Sequence, residues 1–140
     1  MESLIVAFGS NDGIRFTDRH FGDSNKFYIY EINEHKVNFI KQIVNNSEEE
    51  KIHADPKKAG SIAKILKNEK VNVVVSKHFG ANILKIKKKF VCILANCDNI
   101  DTTIENIKSN NKFINNIYLD GEDRGYIVEK NDLSLNYVKK

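Results

Sequence analysis

Two short and almost wholly apolar runs constrain the fold of this chain more than any other feature. Residues 71–75 contain four valines around one Asn, and residues 90–95 read Phe-Val-Cys-Ile-Leu-Ala. Both runs have the length of a strand, and neither alternates apolar with polar residues. Such runs are typical of central strands that helices cover on both faces. They therefore predict an α/β protein built on a sheet with a parallel centre.

Helix signals surround these two runs. Asp55 followed by Pro56 predicts a helix start, because Asp accepts at the N-cap and proline suits the first helical position. A stripe at helical spacing follows, made of Ala59, Ile62, Ala63 and Leu66. A short helix is predicted within residues 80–89, and residues 102–105 have the spacing of a capping box. The order strand, helix, strand, helix predicts parallel pairing.

The two ends of the chain carry hairpin patterns. Residues 4–8 form an apolar run of strand length, and residues 27–32 with 37–39 alternate around a polar turn. Near the C-terminus, residues 114–119 and 126–128 predict a second hairpin, and residues 133–138 a further edge strand. We therefore expect one α/β domain over residues 1–111 and a C-terminal β extension over 112–140, packed on the same domain.

Composition and charge exclude several classes of protein. The 140 residues have a net charge of +3, too balanced to require a nucleic-acid partner. No apolar run approaches the roughly 20 residues that cross a bilayer, so we expect no membrane association. The N-terminus lacks the basic and apolar pattern of a signal peptide. We expect a cytoplasmic protein whose two cysteines, Cys92 and Cys97, are not bridged.

One triplet occurs twice, and each copy lies beside a predicted strand. His20-Phe21-Gly22 precedes the aromatic strand at residues 27–32, and His78-Phe79-Gly80 follows the valine run. Loops at the ends of strands are where proteins usually place binding groups. Three loop motifs follow one another along the chain: residues 18–30 with the first triplet, residues 53–60 (His-Ala-Asp-Pro-Lys-Lys-Ala-Gly), and the valine run followed by Gly80-Ala81-Asn82.

Together these stretches resemble the dinitrogenase iron-molybdenum cofactor biosynthesis family, over about residues 4–108. The resemblance implies a three-layer, ribonuclease-H-like fold with a mixed, mostly five-stranded sheet, to which the C-terminal hairpin is added. It also implies a nitrogenase accessory role: a non-catalytic carrier or chaperone for an iron–sulfur or iron–molybdenum-type cofactor or its precursor. The expected partners are metallocluster-assembly or nitrogenase-type proteins, and the expected state is a monomer or weak homodimer.

Candidate site residues follow from these loops and from the chemistry of such clusters. Imidazole and thiolate groups are suitable ligands, and the net negative charge of a cluster favours backbone N–H groups and cations. Glycines let backbone amides approach a bound anion closely. Cofactor binding is assigned to His20, Phe21, Gly22, His53, His78, Gly80 and Asn82. Metal ligation is assigned to His20, His78 and Cys97, the last just past the end of a predicted parallel strand.

Structural roles are the simpler interpretation of several neighbouring residues. His35 lies in a hairpin turn and is expected to face solvent, while Cys92 lies within a strand and is expected in the core. Phe21 and Phe79 are expected to fill the core beneath their loops. The basic side chains are expected to form solvated helix faces, with attraction of an anionic cluster as the functional alternative: Lys57, Lys58, Lys85, Lys87, Lys88 and Lys89.

Two other functions are compatible with the predicted fold. A metal-dependent nuclease would need converging carboxylates, and the candidates are Asp12, Asp18, Asp23 and Asp98, all in loops. None of them lies within a central strand, so we expect no enzymatic activity. A regulatory or protein-interaction module would use the C-terminal hairpin, because an exposed edge strand can pair with a partner or with itself.

Overall fold

The centre of the fold is a mixed seven-stranded sheet, seen in a computed structural model that describes residues 3–46 and 56–139. Its strands, in chain order, are β1 (Leu4–Ser10), β2 (Lys26–Ile32), β3 (Val37–Val44), β4 (Val73–Ser76), β5 (Val91–Leu94), β6 (Tyr126–Glu129) and β7 (Leu135–Val138). Their spatial order is β3-β2-β1-β4-β5-β6-β7. Four adjacent strands, β1, β4, β5 and β6, run parallel, and the pairs β1–β2, β2–β3 and β6–β7 are antiparallel.

Helices cover both faces of the sheet, as the two apolar runs predict. The helices are α1 (Pro56–Asn68), α2 (Ile83–Ile86), α3 (Ile100–Ser109) and α4 (Asn111–Leu119). One face carries α3 and α4, whose isoleucines pack with Val73 and Val75 of β4. The opposite face carries α1 and α2, which pack around Val74 of the same strand. Side chains alternate between the faces along a strand, so β4 contributes to both cores.

The hydrophobic stripe of the first helix is confirmed where its side chains are described. Ile62, Ala63 and Leu66 are buried against the sheet. The predicted N-cap residue Asp55 and the candidate ligand His53 lie outside the described residues. Helix α3 begins at Ile100, two residues before the predicted capping box, with Asn99 at its N-cap.

The C-terminal prediction needs correction in one arm of its hairpin. Residues 114–119 form part of α4 and not a strand, because Ile114 and Ile117 are one helical turn apart and both are buried. The hairpin is instead β6–β7, and it continues the main sheet through the parallel pairing of β6 with β5. The sheet therefore has seven strands and not five. The ribonuclease-H-like assignment and the boundary between residues 1–111 and 112–140 stay predictions.

No helix within residues 3–46 and 56–139 has the length and apolar character needed to cross a bilayer.

Two glycines allow a matched test of this packing. A Cβ on Gly125 would lie 1.8 Å from the carbonyl oxygen of Val138, whereas a Cβ on Gly60 would meet nothing within 4 Å. We expect Gly125→Ala to lower the free energy of unfolding by about 1–3 kcal/mol, because β6 and β7 must separate. Gly60→Ala should raise it by about 0.5–1 kcal/mol through helix propensity. Urea unfolding followed by circular dichroism measures both; equal effects would contradict the described packing.

Candidate functional site

The two His-Phe-Gly triplets meet at the carboxyl edge of the parallel strands. The backbone N–H of Phe21 donates to the carbonyl oxygen of His78 over 2.7 Å. The rings of Phe21 and Phe79 stack beneath this bond, with centroids 5.4 Å apart and planes 29° apart. Both rings are buried in the core that α1 and α2 cover. The two loops are therefore held together by one backbone hydrogen bond and one buried aromatic pair.

The imidazole of His20 lies over the glycine of the other triplet. Gly80 has φ +68°, and a Cβ built on it would lie 2.6 Å from Nδ1 of His20 and 2.7 Å from its Cε1. Both the left-handed backbone and the ring contact therefore disfavour a side chain at this position. The glycine of the second triplet creates the space that the histidine of the first triplet occupies.

A small hollow, the His20 recess, lies between this histidine and the first helix. It has a volume of about 10 Å³, roughly the space of one water molecule. A buried lysine closes one side: Lys58 of α1 has an exposed fraction of 7% and its Nζ lies 3.3 Å from a carboxylate oxygen of Asp23. The recess is lined by His20, Gly22, Asp23, Lys58, Ile62, Phe79, Ala81, Asn82 and Ile86.

A larger opening, the His78 crevice, lies between the carboxyl ends of β4 and β5. The chain leaves β4 towards α2 on one face and leaves β5 towards α3 on the other, so the two loops diverge. Open α/β sheets bind ligands at such a divergence. The crevice has a volume of about 390 Å³ and is lined by Lys77, His78, Ala95, Asn96, Cys97 and Asp98.

Lys77 joins three loops at the edge of this crevice. Its Nζ lies 2.8 Å from an oxygen of Asp98 and 3.4 Å from one of Asp18. The hydrogen bond between Lys77 and Asp98 raises the pKa of the lysine and lowers that of the carboxyl. Both carboxylates are largely exposed, so these contacts position the loops more than they stabilise the fold.

Cys97 lies in the crevice wall with its sulfur turned towards polar neighbours. Its Sγ is 3.1 Å from Oγ1 of Thr103 and 3.4 Å from Oε1 of Glu129. Burial raises the pKa of the Cys97 thiol, and the Glu129 carboxylate adds to this rise, while the hydrogen bond with Thr103 opposes it. The group is therefore a thiol near neutral pH, and ligation of a metal would require it to lose a proton.

Comparison with known proteins identifies the family. The model of a family described as dinitrogenase iron-molybdenum cofactor matches residues 2–110. The chain belongs to this family. No curated protein matches the chain.

Solved structures agree with this membership of the iron-molybdenum cofactor family. The chain is similar to MJ0327 of Methanocaldococcus jannaschii, a protein provisionally called a dinitrogenase, at 25% identity. The crystal structure of that protein aligns with a TM-score of 0.55 over 83% of this chain and 92% of the other. Its NMR structure aligns with a TM-score of 0.57 over 83% and 91%. The family is thus associated with an iron-molybdenum cofactor.

The residues predicted for the cofactor site lie in two adjoining places. His20, Gly22 and Asn82 line the recess, whereas His78 and Cys97 line the crevice. The three predicted metal ligands therefore do not share one cavity. Within residues 3–46 and 56–139, no group of three or more His, Cys, Asp or Glu side chains is placed to hold a metal ion.

Two predicted binding residues have visible packing roles. Phe21 fills the core, as the structural interpretation expects. A Cβ on Gly22 would lie 2.5 Å from Cδ1 of Ile62, so this glycine lets the loop pack closely on α1. His35 is exposed in its turn, and Cys92 is fully buried, where burial raises the pKa of its thiol.

The four carboxylates considered for a nuclease site all have protein partners, and two of them share one partner. Asp12 accepts backbone hydrogen bonds from Ile14 and Arg15, which lower the pKa of its carboxyl. Asp23 pairs with Lys58, and Lys77 holds the other two candidates, Asp18 and Asp98. Asp18 and Asp98 thus converge on a lysine ammonium, whereas the carboxylates of a two-metal site converge on the metal ions.

Sequence patterns did not predict the positions of three cations. Lys58 and Lys87 were expected on solvated helix faces but are buried, with Nζ of Lys87 donating to the carbonyl oxygen of Arg124 over 3.0 Å, and Lys77 received no role. A signal for Lys58 existed, because it precedes Ile62 by four residues and so lies on the same side of α1 as the buried stripe. Nothing local marks Lys77, whose partners are distant in sequence.

The contact between the two triplets predicts a specific effect of Gly80→Ala. The new Cβ must displace the His20 ring, and a residue with φ of +68° pays about 1–2 kcal/mol for the left-handed backbone. Gly121→Ala is the matched control, because Gly121 has φ +73° with open space around it. We expect both variants to lose stability in urea, and only Gly80→Ala to shift the NMR resonances of the His20 ring. An unshifted ring would contradict the described contact.

Proposed function

We propose that this protein binds an iron–sulfur or iron–molybdenum-type cofactor, or its precursor, and passes it on without catalysing a reaction itself. The observation that carries the proposal is the joining of the two His-Phe-Gly loops through the Phe21–His78 hydrogen bond. This bond brings two loops that each carry a histidine to one edge of the sheet. Membership of the iron-molybdenum cofactor family supports a cofactor of this class.

The donor groups suit such a cargo. Imidazole nitrogen ligates iron, and both His20 and His78 are exposed at the surface. Lys58 beside the recess and Lys77 beside the crevice are both paired with carboxylates, so the case for the cargo rests on the imidazole donors and not on local positive charge. The crevice volume of about 390 Å³ lies within the range of small-ligand sites, whereas the recess holds no more than a water molecule. We therefore assign the cargo to the His78 crevice, with His20 approaching from the adjoining recess.

The arrangement favours a carrier over a permanent cluster protein. Resident iron–sulfur clusters are held by about four cysteines. Among the side chains that line the recess and the crevice, the imidazole and thiol groups are those of His20, His78 and the protonated Cys97. A cargo with few protein ligands is released more easily to a receiving protein. The receiving partners we propose are metallocluster-assembly or nitrogenase-type proteins.

Anaerobic reconstitution tests the proposal. The protein is treated with ferrous iron and sulfide, desalted, and analysed for bound iron and visible absorption. We expect the wild type to retain iron, and His20→Ala and His78→Ala each to weaken retention about tenfold or more, since even outer-shell changes cost 10–100-fold at metal sites.

His35→Ala is the control for this experiment, because His35 is exposed in the turn between β2 and β3, away from both cavities. It should retain iron as the wild type does. A wild-type protein without bound iron, or an equal loss in His35→Ala, would argue against the proposed site.

A further inference from the structure

Glu129 is a buried carboxylate at the end of β6, beyond the last residue matched by the family model. Its exposed fraction is 1%, so nearly all of its surface is withdrawn from water. Carboxylates are rarely buried to this extent unless they are paired. The groups that donate hydrogen bonds to Glu129 must therefore compensate for its burial.

The contacts of Glu129 come from two segments, the loop after β5 and the helix α3. Oε1 accepts hydrogen bonds from the backbone N–H of Asn96 over 2.9 Å and from Oγ1 of Thr103 over 3.2 Å. Oε2 accepts from Nδ2 of Asn106 over 2.8 Å. The sulfur of Cys97 lies 3.4 Å from Oε1. No Lys, Arg or His within the described parts of the chain forms an ion pair with Glu129, so neutral donors alone satisfy the carboxylate.

Burying a carboxylate without a counter-ion is an unfavourable way to stabilise a fold. A buried charge without a counter-ion loses its hydration, and an apolar residue of similar volume is often neutral or better for stability. The contribution of the carboxylate is geometric, because each hydrogen bond fixes the position of its donor group. Two of its neighbours, Asn96 and Cys97, form the wall of the His78 crevice.

The crevice wall makes a second contact with the C-terminal segment, and it also contacts the loop that carries His78. Nδ2 of Asn96 donates to Oδ1 of Asn131 in the turn between β6 and β7, over 2.6 Å. Asp98, two residues after Asn96, holds Lys77, which directly precedes His78. A continuous series of polar contacts therefore runs from β6 through the crevice wall to the His78 loop.

We propose that Glu129 is a positioning residue that fixes the crevice wall at residues 95–98, so that the chain beyond the family match forms part of the cofactor site. Glu129 acts through Asn96 and Cys97 and does not itself touch the cargo. The effect on cargo retention rests on the function proposed above, whereas the effect on the wall does not.

The wall is tested first, without any cofactor. Glu129→Ala removes the acceptor, and Glu129→Gln keeps the volume and one oxygen. We expect the Ala variant to speed the reaction of Cys97 with Ellman's reagent and the hydrogen exchange of the Asn96 amide by about tenfold, because the buried donors of the wall lose their acceptor. The Gln variant should show a smaller effect. Cys92 is fully buried, so the fast thiol phase reports Cys97.

Two further variants keep the test decisive. Glu105→Gln changes an exposed acid on α3 and should behave as the wild type. Thr103→Val removes one donor to the carboxylate and preserves side-chain shape, so it tests the same network if Glu129→Ala does not fold. Global stability is measured in parallel, and the Glu129→Gln variant should unfold at a temperature close to that of the wild type.

Iron retention then tests the link to the cofactor. In reconstituted protein, a chelator should remove iron faster from Glu129→Ala than from the wild type, with partial rescue in Glu129→Gln. Unchanged Cys97 reactivity and Asn96 exchange in the Glu129 variants would overturn the positioning role. Faster Cys97 reaction and Asn96 exchange with unchanged iron release would show that Glu129 fixes the wall but would overturn its role in the cofactor site. If the wild type binds no iron, the proposed function fails, and the thiol and exchange data still decide whether Glu129 fixes the wall.

Discussion

The hydrogen bond from Phe21 to His78 is the contact on which the arrangement of this site depends. It joins a loop before β2 to a loop after β4, which are 57 residues apart in sequence. The buried rings of Phe21 and Phe79 stack next to this bond and hold the same two loops together through apolar contact. Gly80 completes the contact by leaving space for the His20 ring. The two triplets therefore have complementary structural roles. The first supplies the N–H of Phe21 and the His20 ring, and the second supplies the carbonyl oxygen of His78 and the space at Gly80.

The sheet topology explains why the opening beside this contact lies where it does. β4 and β5 are parallel neighbours whose following helices pack on opposite faces, so their loops separate at the carboxyl edge. The His78 crevice fills this gap, and the His20 recess lies on the side covered by α1. Lys77 spans the gap through two carboxylates, and Glu129 supports its far wall from the C-terminal segment. The fold and the site thus follow from one arrangement of strand ends.

Most of the fold follows from local patterns in the sequence. The valine run predicts a central covered strand, and the stripe from Ile62 to Leu66 predicts a helix on one face, because burial dictates both periodicities. The prediction of a strand at residues 114–119 was wrong. A short apolar segment fits both the period of a helix and that of a strand, and the element it packs against decides which of the two forms. The contact between the triplets was expected from their positions at strand ends. Glu129 and Lys77 escaped prediction because their partners are distant in sequence, and no local pattern encodes such contacts.

The central claim is that the two His-Phe-Gly loops act as one cofactor-binding unit. The most direct test is proton NMR of the histidine rings before and after anaerobic loading with iron and sulfide, since a paramagnetic cluster broadens nearby resonances. We expect the ring signals of His20 and His78 to broaden together, at the same ratio of iron to protein, while those of His35 stay sharp. Sharp signals from both His20 and His78 in protein that holds iron would contradict it.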